Sequence, residues 1–167
     1  MTAKSKSKGK TKSTRGKARI FDLLSAEHQM VREMIEEICE DGAEMEDEER
    51  MEKFESFRAA LMSHSQAEAR AFYAPLKEAV EDKQPVLEAD VEHIAVQRLL
   101  EELSTNRLDV ERWMARAMVC KEMLEHHVEE EEGELFELAQ AECDEETLAK
   151  MADDFEAEKA RLMEVVA

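Results

Sequence analysis

Residues 54–76 read FESFRAALMSHSQAEARAFYAPL. Phe54, Phe57 and Leu61 step by three and four, the spacing of one face of an α-helix. The next places on that face belong to His64 and Glu68, followed by Ala71 or Phe72. Residues four apart share a helical face, so one imidazole and one carboxylate point where the core should be. Pro75 is expected to kink or end the helix, because it removes a backbone donor and crowds the preceding turn.

The same device recurs on both sides of this stretch. Upstream, Phe21, Leu24, His28, Val31, Ile35 and Ile38 form a stripe, with a stop expected at Asp41-Gly42, where glycine suits a left-handed helix end. Downstream, Pro85 fits the first turn of a third helix carrying Val86, Ala89, His93, Val96, Leu100 and Leu103. Ser104-Thr105-Asn106 makes the next break. A fourth helix carries Val110, Trp113, Ala117, Cys120, Leu124, His127, Glu131, Leu135 and Leu138. Asp144 is placed to cap a fifth, through Leu148, Met151, Phe155 and Leu162. The links are short, so neighbouring helices run antiparallel. The expected fold is all-α: an up-down-up-down four-helix bundle over residues 20–142, with an additional C-terminal helix over 144–166.

Each of the first four helices thus places a histidine at a core position, and helices two and four add a glutamate one turn later. An isolated buried carboxylate costs several kcal/mol unless it is paired or coordinated. Two acids and four imidazoles in one layer become affordable with metal, and these ligand types suit iron, manganese or zinc. The candidate metal ligands are His28, His64, Glu68, His93, His127 and Glu131. His126 points about 100° away from His127 and is set aside as a non-ligand. Glu129, Glu130 and Glu132 read as a solvated acidic face. Gly133, inside helix four, costs about 1 kcal/mol against alanine, for which close packing or ordinary tolerance are the two readings.

Composition limits the function classes. Only 4 Gly, 2 Pro and 8 aromatic residues occur in 167, which favours helix and offers almost no hairpin signal. No apolar run is long enough for a membrane span, and no apolar leader precedes the first helix, so a cytoplasmic location is expected. The three cysteines, Cys39, Cys120 and Cys143, lack CxxC spacing and read as free thiols. The net charge is −19, but residues 1–19 carry eight Lys or Arg and no acid. The rest therefore holds 15 bases against 42 acids, which argues against nucleic acid as a partner of the folded body. Residues 1–19 lack the apolar side chains to offset ordering entropy and are expected to form a disordered basic arm.

Four segments, AEHQMVREM, HSQAEARAFYAPL, VEHIAVQRLL and HHVEEEEGELF, resemble the hemerythrin-like HHE cation-binding family over roughly residues 20–140. The family pattern is a lone His, an HxxxE followed by an aromatic and Pro, a second lone His, and an HxxxE followed by Phe. The distance from His127 to Phe136 selects His127 over His126, as the apolar stripe does. The resemblance implies two iron ions in an oxo- or hydroxo-bridged di-iron centre. His28 and His64 would serve one iron, His93 and His127 the other, and Glu68 and Glu131 would bridge them. Zinc or manganese could occupy similar ligands.

Oxygen carriers of this family place two histidines four apart on helix three; here the corresponding residue is Ala89. The resulting gap, to be filled by water, Tyr73 or a glutamate, moves the expectation away from reversible oxygen carriage. It points toward O2 or peroxide chemistry, oxygen or iron sensing, or oxidative-stress defence, with peroxide decomposition as the activity to test and a monomer or homodimer as the assembly.

Two other classes compete. A ferritin-like iron oxidase or store would use Glu-x-x-His pairs, whose nearest match is the single Asp90-x-x-His93. A non-enzymatic, metal-gated interaction module would use the metal to order the bundle and the basic arm or fifth helix to contact a partner.

Overall fold

The computed structural model describes residues 18–105 and 108–166, with side chains as far as 163. Regular structure among them is entirely helical. Its order is α1 (Arg19–Asp41), α2 (Asp47–Glu68), a π-helical turn π1 (Ala69–Tyr73), α3 (Ala74–Ala79), α4 (Gln84–Leu103), α5 (Val110–Glu130), a second π-helical turn π2 (Glu131–Leu135), α6 (Phe136–Glu142) and α7 (Glu145–Val166). The segments α2–π1–α3 and α5–π2–α6 are contiguous, so five rods result. The basic arm falls outside the described residues as far as residue 17. Arg19, assigned to that arm by composition, instead opens α1 and pairs with Asp153 and Glu156 of α7.

The chain direction alternates between two apolar cores. Leu24 of α1 packs in one core and Val31 in the other; His28 lies between them. Running the opposite way, α2 has Leu61 in the second core and Ala67 in the first, with His64 between. Ala89 and Val96 bracket His93 on α4, and Leu124 and Leu135 bracket His127 across α5 and π2. The four main rods therefore run up, down, up and down, and their histidines form one polar layer between two apolar ones. Hydrophobic burial drives association on both sides of that layer.

Pro75 does not end its rod, and helix resumes past it as far as Ala79. The π turn before it widens the ladder, and the N–H of Ala74 reaches the carbonyl of Ala69. Pro75 then falls in the first turn of α3, where a missing donor costs little. The rod ends at Ala79, with Val80 extended. In the fourth rod, π2 shifts the register. The buried face moves to Leu135, Phe136 and Ala139, whereas Leu138, expected in the core, is only partly buried. Val110 is also displaced from the core, 38% exposed at the first position of α5. Gly133 has open space around it, with nothing within 4 Å of an added Cβ, so close packing does not explain it.

The end of the bundle away from α7 is tied by polar contacts. Trp113 Nε1 donates to the carbonyl of Leu103 at 3.0 Å, closing the α4–α5 link. Buried Arg50 donates to the carbonyls of Gly42 and Met45 and lies 5.5 Å from the centre of the Trp113 ring. Gly42 ends α1 as expected but in a right-handed conformation (φ −60°). Its requirement is space: an added Cβ would stand 2.3 Å from the Ile38 carbonyl and 3.0 Å from Met114 Sδ. Gly42→Ala is expected to destabilise the fold by about 1–3 kcal/mol, read as a lower urea midpoint with an unchanged slope.

The C-terminal helix covers the bundle. Asp144 caps it, accepting from the Thr147 N–H at 2.8 Å as the sequence predicts. Leu148, Met151, Ala152 and Phe155 then join the core of Phe21, Phe72 and Phe136. Arg70 pairs with Glu158, and Lys159 Nζ lies 2.6 Å from Glu27. The rod thus seals α1, α2 and π1 beside the polar layer.

Candidate metal centre

The six sequence-predicted residues come together. His28, His64, Glu68, His127 and Glu131 are at most 4% exposed, and the His93 side chain is 15% exposed. The imidazoles form two pairs, His28 with His64 (ring centroids 4.8 Å apart) and His93 with His127 (4.6 Å). Glu68 links the pairs. Its Oε1 is 3.7 Å from His28 Nε2, and its Oε2 is 3.4 Å from His64 Nε2 and 3.3 Å from His93 Nε2. Glu131 does the same from the fourth rod, with Oε2 3.3 Å from His127 Nε2 and 3.6 Å from His28 Nε2. His126 stands outside this layer with its side chain 61% exposed.

Several of these atoms lack hydrogen-bond partners: His28 Nε2, both oxygens of Glu68 and Glu131 Oε1. Orphaned buried acceptors are costly. The nitrogen–oxygen separations of 3.3–3.7 Å are long for hydrogen bonds. They suit neighbouring ligands of a shared ion, since bonds of about 2.0–2.2 Å place adjacent donor atoms roughly 3.0–3.5 Å apart. The donor set therefore fits metal.

Outer carboxylates orient the rings. His28 Nδ1 is 2.9 Å from Glu132 Oε1, and His127 Nδ1 is 2.7 Å from Glu92 Oε2. An N–H at each Nδ1 donates to its carboxylate, so that once Nε2 gives up its proton the lone pair faces inward, as a ligand requires. Glu132 stays on the exposed acidic face, its side chain 37% exposed, yet one of its oxygens supports His28. On α1, Glu27 Oε2, held by Lys159 of α7, lies 4.0 Å from His64 Nδ1, too far for a hydrogen bond, and His64 Nδ1 has no partner. Glu92, Glu27 and Lys159 carried no signal in the sequence, because polar residues on helix flanks look alike until the rods are packed.

Tyr73, expected from the sequence as one candidate for the gap at Ala89, does reach the layer. Fully buried, its hydroxyl donates to Glu131 Oε2 at 3.2 Å and lies 3.3 Å from His127 Nε2 and 3.5 Å from His93 Nε2. It therefore stands beside the His93/His127 imidazole pair. Burial, followed by the nearby Glu68 and Glu131 charges, pushes its pKa well above the ordinary value and keeps the phenol protonated.

Protonation in the layer is coupled. Burial opposes charge on His28 and His127, but the carboxylates outweigh it: Glu68, Glu131 and Glu132 hold His28 at about 9, and Glu131, Glu92 and Glu68 hold His127 at about 10. Burial and then the Glu68 charge raise Glu131 to about 8. Glu68 itself is held well below its ordinary value despite burial, because three imidazoles face it. Burial lowers His64 and keeps it neutral. The layer stores protons where cations would sit, and metal binding must expel them.

The hemerythrin HHE cation binding domain matches residues 19–139. No curated protein matches the chain, and no solved structure does. Among the described residues, no helix is long and apolar enough to cross a membrane.

Proposed function

Because the chain belongs to the hemerythrin HHE cation-binding family, we propose that it is a non-haem di-iron protein that binds or reacts with O2 or peroxide, serving oxygen or iron sensing or oxidative-stress defence. One observation carries the reading: four Nε2 atoms converge on two carboxylates whose oxygens have too few hydrogen-bond partners. In the proposed ligand set, His28 and His64 would hold one ion and His93 and His127 the other, with Glu68 and Glu131 as carboxylates common to both. Two irons so bound would supply redox equivalents and an open coordination position.

The protein's own residues shape what reaches that position. Ala89 leaves the His93/His127 side without the fifth imidazole of the oxygen carriers. Tyr73 instead presents a proton at Oη, next to Glu131 Oε2. A cavity of about 340 Å³ between α2 and α4, lined in part by Met62, Ala69, Ile94 and Leu100, reaches His93. Its apolar walls suit a small neutral ligand. α7 closes the His64 side, where Phe155 stands 6.2 Å from the ring. Asp90, the acid of the nearest Glu-x-x-His-like pair, is engaged 2.6 Å from Lys77, which disfavours the ferritin-like reading.

The test is the visible spectrum of the iron-loaded protein, before and after peroxide or O2. The proposal expects charge-transfer bands that change with either; a spectrum indifferent to both contradicts it. Tyr73→Phe is expected to retain its iron while slowing the peroxide response at least tenfold by stopped-flow absorbance, since only the proton at Oη is lost. Loss of iron in that variant would instead make Tyr73 a ligand.

A further inference from the structure

A third group of potential ligands lies outside the buried layer. Glu92 on α4 and His126 and Glu130 on α5 bring one ligand atom each within 4.8 Å of one another. His126 Nε2 is 3.3 Å from Glu130 Oε1 and 3.9 Å from Glu92 Oε1. Glu92 faces both ways: its other oxygen, Oε2, accepts from His127 Nδ1 at 2.7 Å. One carboxylate therefore joins this outer group to a proposed ligand of the buried centre.

A cleft beside this group shares Glu92 and Glu130 with it. It is lined by Glu88, Ala89, Glu92, Glu130, Glu131 and Glu134, with His127 beside them. Ala89 contributes only a methyl group to its wall. Five of its nine lining residues are acids, the others including Pro85 and Leu135. Glu131, 1% exposed, stands at its buried end, and Glu131 Oε1 has no hydrogen-bond partner. The space accessible to water is only about 10 Å³, roughly one water molecule's worth. A fully hydrated divalent cation is too wide for so small a space and would have to exchange waters for protein ligands before entering it. An imidazole and two carboxylates suit that exchange for ferrous iron, and the acidic lining concentrates cations there.

We propose that Glu92, His126 and Glu130 form a transit site that captures a divalent metal ion, strips its waters and passes it along the Ala89 cleft to the buried centre. The step is ligand exchange without change of oxidation state. The proposal rests on the di-metal reading of the buried layer and gives His126, a non-ligand of that layer, a kinetic role.

The test uses the full-length metal-free protein and Co²⁺, whose visible absorption reports its ligands. Wild type is expected to bind two ions tightly and a third weakly. His126→Ala/Glu130→Gln is expected to lose the weak third ion, keep the two tight ones at equilibrium, and load them at least tenfold more slowly at micromolar Co²⁺. Glu111→Gln, with the same loss of charge at the other end of α5, is expected to load like wild type. Equal loading rates in the double variant and wild type would overturn the transit site while leaving the buried centre intact. Equal slowing in Glu111→Gln would reduce the effect to bulk charge and likewise overturn it. Wild type lacking the two tight ions would overturn the buried centre itself, and the transit step with it.

Discussion

Glu68→Ala is expected to yield a folded, helical chain that retains less than a quarter of the wild-type iron. The oxygens of Glu68 face three imidazoles from three rods, at 3.3–3.7 Å. Removing it takes a donor from both proposed ions and leaves each imidazole pair with Glu131 as its only shared carboxylate. A single lost ligand often costs a mononuclear site only part of its affinity, but a bridge serves both ions, so occupancy of the second should fall with the first. Retained helicity distinguishes this outcome from misfolding. Two cores flank the layer, and the variant removes a charged group that in metal-free protein must be offset by protonated histidines. Iron analysis with far-ultraviolet circular dichroism checks the expectation; a Glu68→Ala protein with full iron would remove Glu68 from the centre.

Stripping the metal is expected to lower the melting temperature by about 10 °C near neutral pH and to reverse how stability responds to alkali. For the size of the drop, metal at a thousandfold its dissociation constant contributes about 4 kcal/mol, and each kcal/mol moves a domain of this length by about 2–4 °C. The sign of the pH effect follows from the protons held in the layer. His28 at about 9 and His127 at about 10 exceed the ordinary histidine value of 6.5, and Glu131 at about 8 exceeds the ordinary 4.5. All three bind protons more tightly folded than unfolded. Their stabilisation is present below those ordinary values and is lost as pH rises through about 8–10. His64 and Glu68 act oppositely, since both are lowered; their contributions are lost on the acid side, below about 6.5 and 4.5 respectively. Metal-free protein should therefore be most stable slightly below neutrality and weaken towards pH 9–10. Bound metal takes the place of those protons, so its stabilisation grows with pH over the same interval. Thermal melts of stripped and loaded protein between pH 6 and 9.5 should show the gap widening. A constant or narrowing gap would contradict the proton-for-metal exchange.

The outcome along each rod shows what a sequence conveys about such a centre. α1 was legible from end to end, because an unbroken α-helix keeps one register and its stripe maps directly onto burial. The six inward-facing polar residues were legible for the same reason: each interrupts an otherwise apolar face. Register was lost after Glu131, where π2 inserts extra backbone per turn and moves burial from Leu138 to Phe136 and Ala139. Both π turns adjoin the HxxxE glutamates, beginning directly after Glu68 and at Glu131. π-helical turns of this kind are frequent at functional sites. The supporting carboxylates were illegible in principle. Glu132, Glu92 and Glu27 sit on flanks where a glutamate is normally solvated, and only packing shows which of them meets an imidazole. The apolar stripe of α7 was visible, but not the surface it covers. That surface is fixed by Phe155 against His64 and Lys159 against Glu27.

Anomalous diffraction at the iron edge from crystals of the iron-loaded protein tests the central claim most directly. The account predicts two peaks per chain, one within about 2.3 Å of Nε2 of His28 and His64 and the other of His93 and His127, with Glu68 and Glu131 between them. A single peak, none, or peaks that avoid these six residues would contradict it.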